Sequence, residues 1–211
     1  MSEFQPQVAP DHYQSRRYVT KERFISYWHQ INEVLRLEPR SVLEIGIGSG
    51  FVKRFLTEQG VSVRTADADP RLSPDVVAVL PQLPFADREF DVVCCFEVLE
   101  HIPFDSFDAC VAELKRVAGR TLLLSLPDVT PYARVHIDWG FKHTLLRRFF
   151  DIWQPRRPVH QFDGEHYWEV GKEGTPLDLV QKHLKQAGFK DVSTFRVEED
   201  PWHRFFRCQV D

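Results

Sequence analysis

Val42-Leu-Glu-Ile-Gly-Ile-Gly-Ser-Gly-Phe-Val52 is the stretch that decides how this chain is read. A short apolar run of strand character leads straight into Gly46-x-Gly48-x-Gly50. Phe51, Val52, Phe55 and Leu56 then recur on one helix face. Glycines at these places let the chain turn tightly and bring bare backbone against a ligand. The first turn of the helix adds unpaired N–H groups and the positive end of a dipole. The dinucleotide fingerprint G-x-G-x-x-G would put its third glycine at position 51, where this chain has Phe51. Glu44 stands just before the glycines. A loop of this kind suits a ligand that contains adenosine but no pyrophosphate.

Working outward, Gly60 stops the helix and a second strand over residues 61–66 runs into Asp67-Ala68-Asp69-Pro70. A carboxylate at such a strand tip accepts hydrogen bonds from both hydroxyls of a ribose. Asp67 is preferred over Asp69 because it comes first after the strand. Further strands are expected over 75–79, 90–96 and 121–126, with an amphipathic helix over 105–117 carrying Phe107, Val111 and Leu114 on one side. The runs VLEI, DVVCCF and TLLLSL are continuously apolar, as parallel strands covered on both faces should be. Upstream, Thr20 caps a helix over 20–37, and residues 1–19 read as a loose arm. Downstream, 128–174 carries no strand periodicity. Thr175-Pro176 then opens a helix, and two alternating strands over 192–197 and 205–210 make a terminal hairpin. The chain divides as one α/β domain over 1–211: an arm and helix (1–38), a ligand-binding core (39–127), an insertion (128–174), and a last helix with its hairpin (175–211).

Length and composition agree. The 211 residues, 43% hydrophobic and 13% aromatic, support one substantial core and argue against bulk disorder. Lys plus Arg number 27 against 31 Asp plus Glu, a net charge of −4, which speaks against sequence-independent nucleic-acid coating. No apolar run reaches the roughly 18 residues of a membrane span. Cys94, Cys95, Cys110 and Cys208 show neither metal spacing nor a disulfide framework, and the polar N-terminus lacks the apolar core of a secretory signal. Both point to the cytoplasm.

Taken in order, EIGIGSG, DADP, LPFADREFDVV and EVLEHI resemble the class I S-adenosylmethionine-dependent methyltransferases, and within them the broad type 11 branch that includes the quinone-biosynthesis methyltransferases. The motifs cover residues 42–127. The resemblance implies an enzyme with a Rossmann-like seven-stranded sheet in the order 3-2-1-4-5-7-6, strand 7 antiparallel, with helices on both faces. It implies S-adenosyl-L-methionine as cofactor. By position, Glu44, Gly46, Gly48 and Gly50 surround its methionine part, Asp67 binds its ribose, Leu83 lies near its adenine, and Phe96 borders the transferred methyl. Where the family often places an Asp before LPF, this chain has Val79-Leu80-Pro81-Gln82. Adenine recognition is therefore expected from backbone or Gln82.

Methyl transfer from a sulfonium is an in-line displacement that needs alignment more than a catalytic signature. His101, His160 and His166 are the candidates for a general base, and no metal site is expected. The Asn/Asp-Pro-Pro-aromatic motif of nucleobase amine methyltransferases is absent at Cys94-Cys95-Phe96-Glu97, which speaks against nucleic acid. Specificity is expected in the insertion, read as a lid. Arg134, Lys142, Arg147, Arg148, Arg156 and Arg157 stand there against Asp138 and Asp151, an excess of 6 − 2 = +4. Two readings follow: a pocket for a small or medium-sized anionic acceptor, or a solvated helix face around 142–153. Tyr13, Tyr18 and Trp28 are candidates to close the pocket from the other side. The rival functions are a non-catalytic S-adenosylmethionine-binding subunit and a nicotinamide-dependent oxidoreductase.

Overall fold

A computed structural model describes residues 9–139 and 143–211. Its central sheet contains β1 (Ser41–Ile45), β2 (Ser62–Asp67), β3 (Val76–Val77), β4 (Phe90–Phe96), β5 (Ala118–Pro127), β8 (Asp191–Arg196) and β9 (His203–Gln209). The order is β3-β2-β1-β4-β5-β9-β8, with β9 antiparallel to both neighbours and the other pairs parallel. This is the expected order, the sixth and seventh sheet strands being β8 and β9.

The continuous apolar runs have a direct cause. Leu43, Val93, Cys95, Leu122 and Leu124 point into one core with Phe107, Val111 and Leu114 of α3 (Phe107–Val117) and Val180 and Leu184 of α4 (Leu177–Gln186). Their neighbours Val42, Val92, Cys94 and Leu123 point into a second core with Ile31 and Val34 of α1 (Lys21–Leu35) and Val52 and Leu56 of α2 (Phe51–Glu58). Adjacent residues face opposite ways on a strand, so a strand covered on both sides has no polar position to alternate with. Cys94 and Cys95 are both buried for this reason, one in each layer. Thr20 caps α1, its hydroxyl accepting the Arg23 N–H at 3.2 Å.

The insertion departs from expectation. It contains a two-stranded antiparallel hairpin, β6 (Tyr132–Trp139) and β7 (His143–Asp151), where neither strands nor their alternation were anticipated. The helix face proposed around 142–153 is therefore wrong; Lys142 itself lies outside the described residues. β6 does alternate, with Ala133, Val135 and Ile137 against Arg134, His136 and Asp138, whereas β7 breaks the pattern with Arg147-Arg148 and Phe149-Phe150. Paired positions share a face. Arg134↔Phe149 and His136↔Arg147 make one, Ala133↔Phe150 and Val135↔Arg148 the other.

The hairpin is fastened to the sheet by charge. Arg196 and Arg204, on neighbouring strands β8 and β9, each reach Asp151 at 2.7 Å and also bind Asp128, at its carbonyl oxygen and carboxylate respectively. Asp128, Arg196 and Arg204 are all buried. Arg147 pairs with Glu198 at 2.6 Å and Glu199 at 3.4 Å, and Arg134 donates to the Glu198 carbonyl. Removing one partner of a buried charge network leaves the others uncompensated. Asp128→Ala should therefore lower the unfolding free energy by about 3–5 kcal/mol in urea denaturation. A loss below about 1 kcal/mol, the scale of an exposed pair, would show that the network contributes little.

Candidate cofactor and methyl-transfer site

The segments that follow β1, β2 and β4 meet at the carboxyl edge of the parallel strands. After β1 the chain passes through Gly46, Gly48 and Gly50 at φ values of +81°, +49° and +67°, all in the left-handed region. Gly46 is the most constrained, since a Cβ there would stand 2.5 Å from Cγ2 of Val98. The loop is braced from the neighbouring strand. Asp67 Oδ2 accepts the Ile47 N–H at 2.9 Å and Oδ1 accepts the Asp69 N–H at 2.8 Å. Burial pushes the Asp67 carboxyl above its ordinary range, and these backbone donors oppose the shift. Asp69 is turned to other work: both its oxygens are held by the Arg71 guanidinium.

Glu44 lies under the loop and is buried. It accepts the backbone N–H of Lys53 in the first turn of α2, while its Oε2 has no partner among the described residues. Burial pushes its carboxyl up to about 8, with nearby Lys53 opposing. An orphaned, buried carboxylate oxygen beside a glycine loop is a place that lacks a cationic or donor group.

The arm reaches this cleft as well. The rings of Tyr13 and Tyr18 stand against Gly48, with 3.7 Å from its would-be Cβ to the Tyr13 ring. Burial first, and Asp67 next, push the Tyr13 hydroxyl up to about 12. Trp28 does not join them. It is 60% exposed with its ring edge-on to His29, and Tyr27 meets the loop instead, bonding Ser49 Oγ at 2.8 Å and stacking on Phe51. Leu83 is buried, and both its backbone groups are spent on α3, the N–H on Glu113 at 2.7 Å and the carbonyl on Arg116. Gln82 beside it is exposed.

At the end of β4, Phe96 is buried against Phe205 of β9. Glu97 follows at φ +53°, a left-handed backbone in a residue that is not glycine. A 3-10 turn, Leu99–His101, comes next. The second half of the insertion is docked on this turn: Tyr167 N–H donates to Glu100 O, and Trp168 Nε1 to Leu99 O and Ile102 O. The docking gathers all three candidate histidines. The His101 and His166 rings meet edge-on at 5.0 Å, and Nε2 of His160 donates to the His166 carbonyl at 2.8 Å. Burial holds His101 below its ordinary range, helped by His166. Its Nδ1 lies 3.0 Å from the Glu165 carbonyl, which only accepts, so Nδ1 carries the proton.

Three features of this corner escaped the sequence. Glu100 is completely buried with both carboxylate oxygens unpartnered among the described residues. Glu169 is buried between His166, at 3.1 Å, and Lys172, at 3.4 Å. His203 of β9 is buried with Nδ1 2.8 Å from Asp200 and Nε2 3.8 Å from Glu97. Glu100 sits directly beside His101 in EVLEHI and was within reach of the motif. Asp200 and His203 flank a turn with no motif to announce them.

The family model described as a methyltransferase domain matches residues 43–121. A ubiquinone biosynthesis O-methyltransferase of Pseudomonas aeruginosa is 29% identical over 190 residues, 77% of this chain and 79% of that protein. The fold is similar to that of magnesium protoporphyrin IX methyltransferase from Synechocystis PCC 6803, with TM-score 0.60, 17% identity, and 95% and 89% of the two chains covered. It is also similar to a SAM-dependent methyltransferase from Archaeoglobus fulgidus, with TM-score 0.59, 12% identity, and 94% and 96% covered. The matched segment spans both the glycine loop and Asp67, and the sheet around it has the order that the motifs implied. The family match, the O-methyltransferase relative and the similar folds together support a class I S-adenosylmethionine-dependent methyltransferase.

Proposed function

We propose that this enzyme transfers the methyl group to a hydroxyl oxygen of a small organic acceptor held over the ends of β4 and β5. The observation that carries this reading is the histidine corner at the end of β4. An oxygen acceptor has to lose a proton when it is methylated; the His101 backbone N–H donates to the carbonyl of Val98, whose side chain packs against Gly46 of the glycine loop, and the His166 ring meets that of His101. The relative from Pseudomonas aeruginosa, an O-methyltransferase by name, supports the choice of oxygen.

The cofactor assignments follow from the cleft. Glu44, with its orphaned oxygen, and the glycine loop would take the amino-acid end, and Asp67 the ribose. Leu83 supplies an apolar wall for the adenine, with Gln82 as its polar neighbour. When bound, S-adenosylmethionine supplies an activated methyl. The chain's part is to fix that group against Phe96 and keep water out, for which Tyr13 and Tyr18 form the outer wall.

The anionic acceptor expected from the basic insertion loses support. Arg147 is spent on Glu198 and Glu199, Arg134 on the Glu198 carbonyl, and Arg148 on the Arg147 carbonyl. Among the described residues of the basic set this leaves Arg156 and Arg157, both exposed. Radiolabelled cofactor added to a fractionated cell extract tests the reading: label should appear in a small molecule as a methyl ether. Label on nitrogen, or in nucleic acid, would defeat it.

Asp67→Ala should weaken S-adenosylhomocysteine binding by about 1.5–3 kcal/mol, since charge-assisted hydrogen bonds are lost. Asp69→Ala should cost less because Asp69 serves Arg71. Calorimetry that finds the reverse order moves the ribose to Asp69. Glu44 gives a pH test. Its carboxyl ionises near 4.5 in the unfolded chain and only at about 8 in the folded one. The folded state thus holds the proton more tightly, and this contribution to stability is lost as pH rises from 4.5 to 8. In the ligand-free protein, the Tm of Glu44→Gln minus that of the parent should grow across this window. A cationic amino group bound beside Glu44 should shrink that growth. A Tm difference independent of pH would count against the burial of an ionisable Glu44.

A further inference from the structure

The sheet has two faces, and the histidine corner stands on only one of them. Trp168, which docks that corner, belongs to the core under α3 and α4. Phe96, proposed to face the transferred methyl, points into the other core, under α1 and α2, together with Phe205. On this second face the ends of β4, β5 and β9 carry polar atoms that the cofactor site does not use. Glu97 Oε1, Ser125 Oγ and His203 Nε2 are buried, with no hydrogen-bond partner among the described residues. The strand register brings them together. Ser125 is paired with Phe96 on one side and Phe205 on the other, and His203 precedes Phe205 by two residues, on the same face. His203 is 4% exposed, and its Nε2 stands 3.8 Å from Glu97 Oε2. Buried polar atoms are ordinarily satisfied, and a polar group of a ligand seated here would satisfy these.

The far side of the His203 ring is held. Its Nδ1 lies 2.8 Å from Oδ2 of Asp200, in the turn between β8 and β9. A carboxylate only accepts, so Nδ1 carries the proton and Nε2 presents its lone pair toward Glu97 and Ser125. Arg204, the next residue, points to the opposite face and is spent on Asp128 and Asp151. Charged and titratable groups face His203 from each neighbouring element: Glu97 from the end of β4, Asp200 from the turn, and His29 and Arg23 from α1.

We propose that His203, oriented by Asp200, takes the proton from the acceptor hydroxyl. As the acceptor O–H bond breaks, its proton passes to Nε2 of His203. The oxygen lone pair forms the C–O bond while the C–S bond breaks and its electrons stay on sulfur. The imidazolium left behind lies between the carboxylates of Asp200 and Glu97, which stabilise it. It returns its proton to solvent once the product has left. Asp200 acts through the ring and is a positioning residue.

The proton transfer deepens the reading of a hydroxyl acceptor and rests on it, whereas the state of the Asp200–His203 pair does not. The competing role for the pair is to staple its turn, where the His203 N–H also donates to Asp200 O at 3.1 Å and the Val197 N–H to His203 O at 2.9 Å. A staple matters for stability and cofactor binding alike. A proton acceptor matters for turnover and its dependence on pH.

Two measurements on the full-length chain test this. In the first, ¹⁵N-histidine NMR of the S-adenosylhomocysteine complex reports the His203 tautomer, its signal assigned by loss in His203→Gln. The neutral ring should carry its proton on Nδ1, and Asp200→Asn should populate the Nε2–H form. In the second, radiolabelled S-adenosylmethionine is incubated with the small-molecule fraction of a cell extract, and the rate of methyl ether formation is followed against pH. His203→Gln should lower the maximal rate by at least about 100-fold and remove the fall in rate at low pH. Asp200→Asn should lower it by at least about 10-fold. S-adenosylhomocysteine affinity should be unchanged in both, and His183→Ala, at the His183–Asp108 pair, should match the parent throughout. An Nε2–H tautomer in the parent overturns the proposal. So does a His203→Gln rate within about 5-fold of the parent, or a loss of cofactor affinity in step with rate in both variants, which makes the pair a staple. Label on nitrogen defeats the hydroxyl reading and the proton transfer with it. Label on oxygen with an unimpaired His203→Gln defeats the proton transfer alone.

Discussion

One carboxylate ties the functional half of the molecule together. Asp67 ends β2, and its two oxygens accept N–H groups from Ile47, in the glycine loop, and from Asp69. The loop leaves the sheet through three left-handed glycines, a conformation with little intrinsic preference for one path. Without a fixed acceptor across the gap, nothing local would select the observed path. The residue proposed to meet the ribose is thus also the one that shapes the loop for the amino-acid end. Both ends of the proposed cofactor site depend on one side chain, whose burial raises its proton affinity and whose backbone donors lower it.

The sheet and the order of its strands were legible because burial on both faces writes itself into the sequence as unbroken apolar runs. Val42–Ile45 and Val92–Phe96 could hardly be anything else. The glycine loop and Asp67 were legible for a related reason: tight turns and strand tips admit few residue types. The hairpin β6–β7 was not. It lies outside the sheet, exposes Val135, Ile137 and Phe150 on one side, and fastens the other by Arg134 and Arg147. β6 alternates, but β7 breaks the pattern with Arg147-Arg148 and Phe149-Phe150, and Arg134 and Arg147 anchor the hairpin to Glu198 and Glu199.

The histidine corner shows an intermediate case. His101, His160 and His166 stood out individually, but nothing in the spacing of 101 and 166 says that they meet. Their meeting depends on Trp168, whose indole N–H reaches the carbonyls of Leu99 and Ile102 and whose ring packs on Phe104 and Phe107. A buried tryptophan with a satisfied N–H is a strong anchor, and it carries the histidine with it. Glu100 could be overlooked because a glutamate beside a turn is ordinarily solvated, whereas here it is fully buried and its carbonyl accepts the Tyr167 N–H of the docked segment.

The stem of the insertion is closed. The chain leaves β5 at Pro127, and Val170 comes back to bond both Pro127 O and the Val129 N–H. Because these bonds join the two ends, whatever lies between them forms a loop whose closure is already accomplished, and lengthening such a loop costs only slowly more. The insertion is consequently an exchangeable cassette. Segments of different length and sequence can be carried on the same stem, over the same edge of the sheet, provided they keep Trp168, which belongs to one core, and Asp151, which holds Arg196 and Arg204. A fold built this way can vary this segment by recombination at two adjacent points of the chain, while the glycine loop and Asp67 stay fixed.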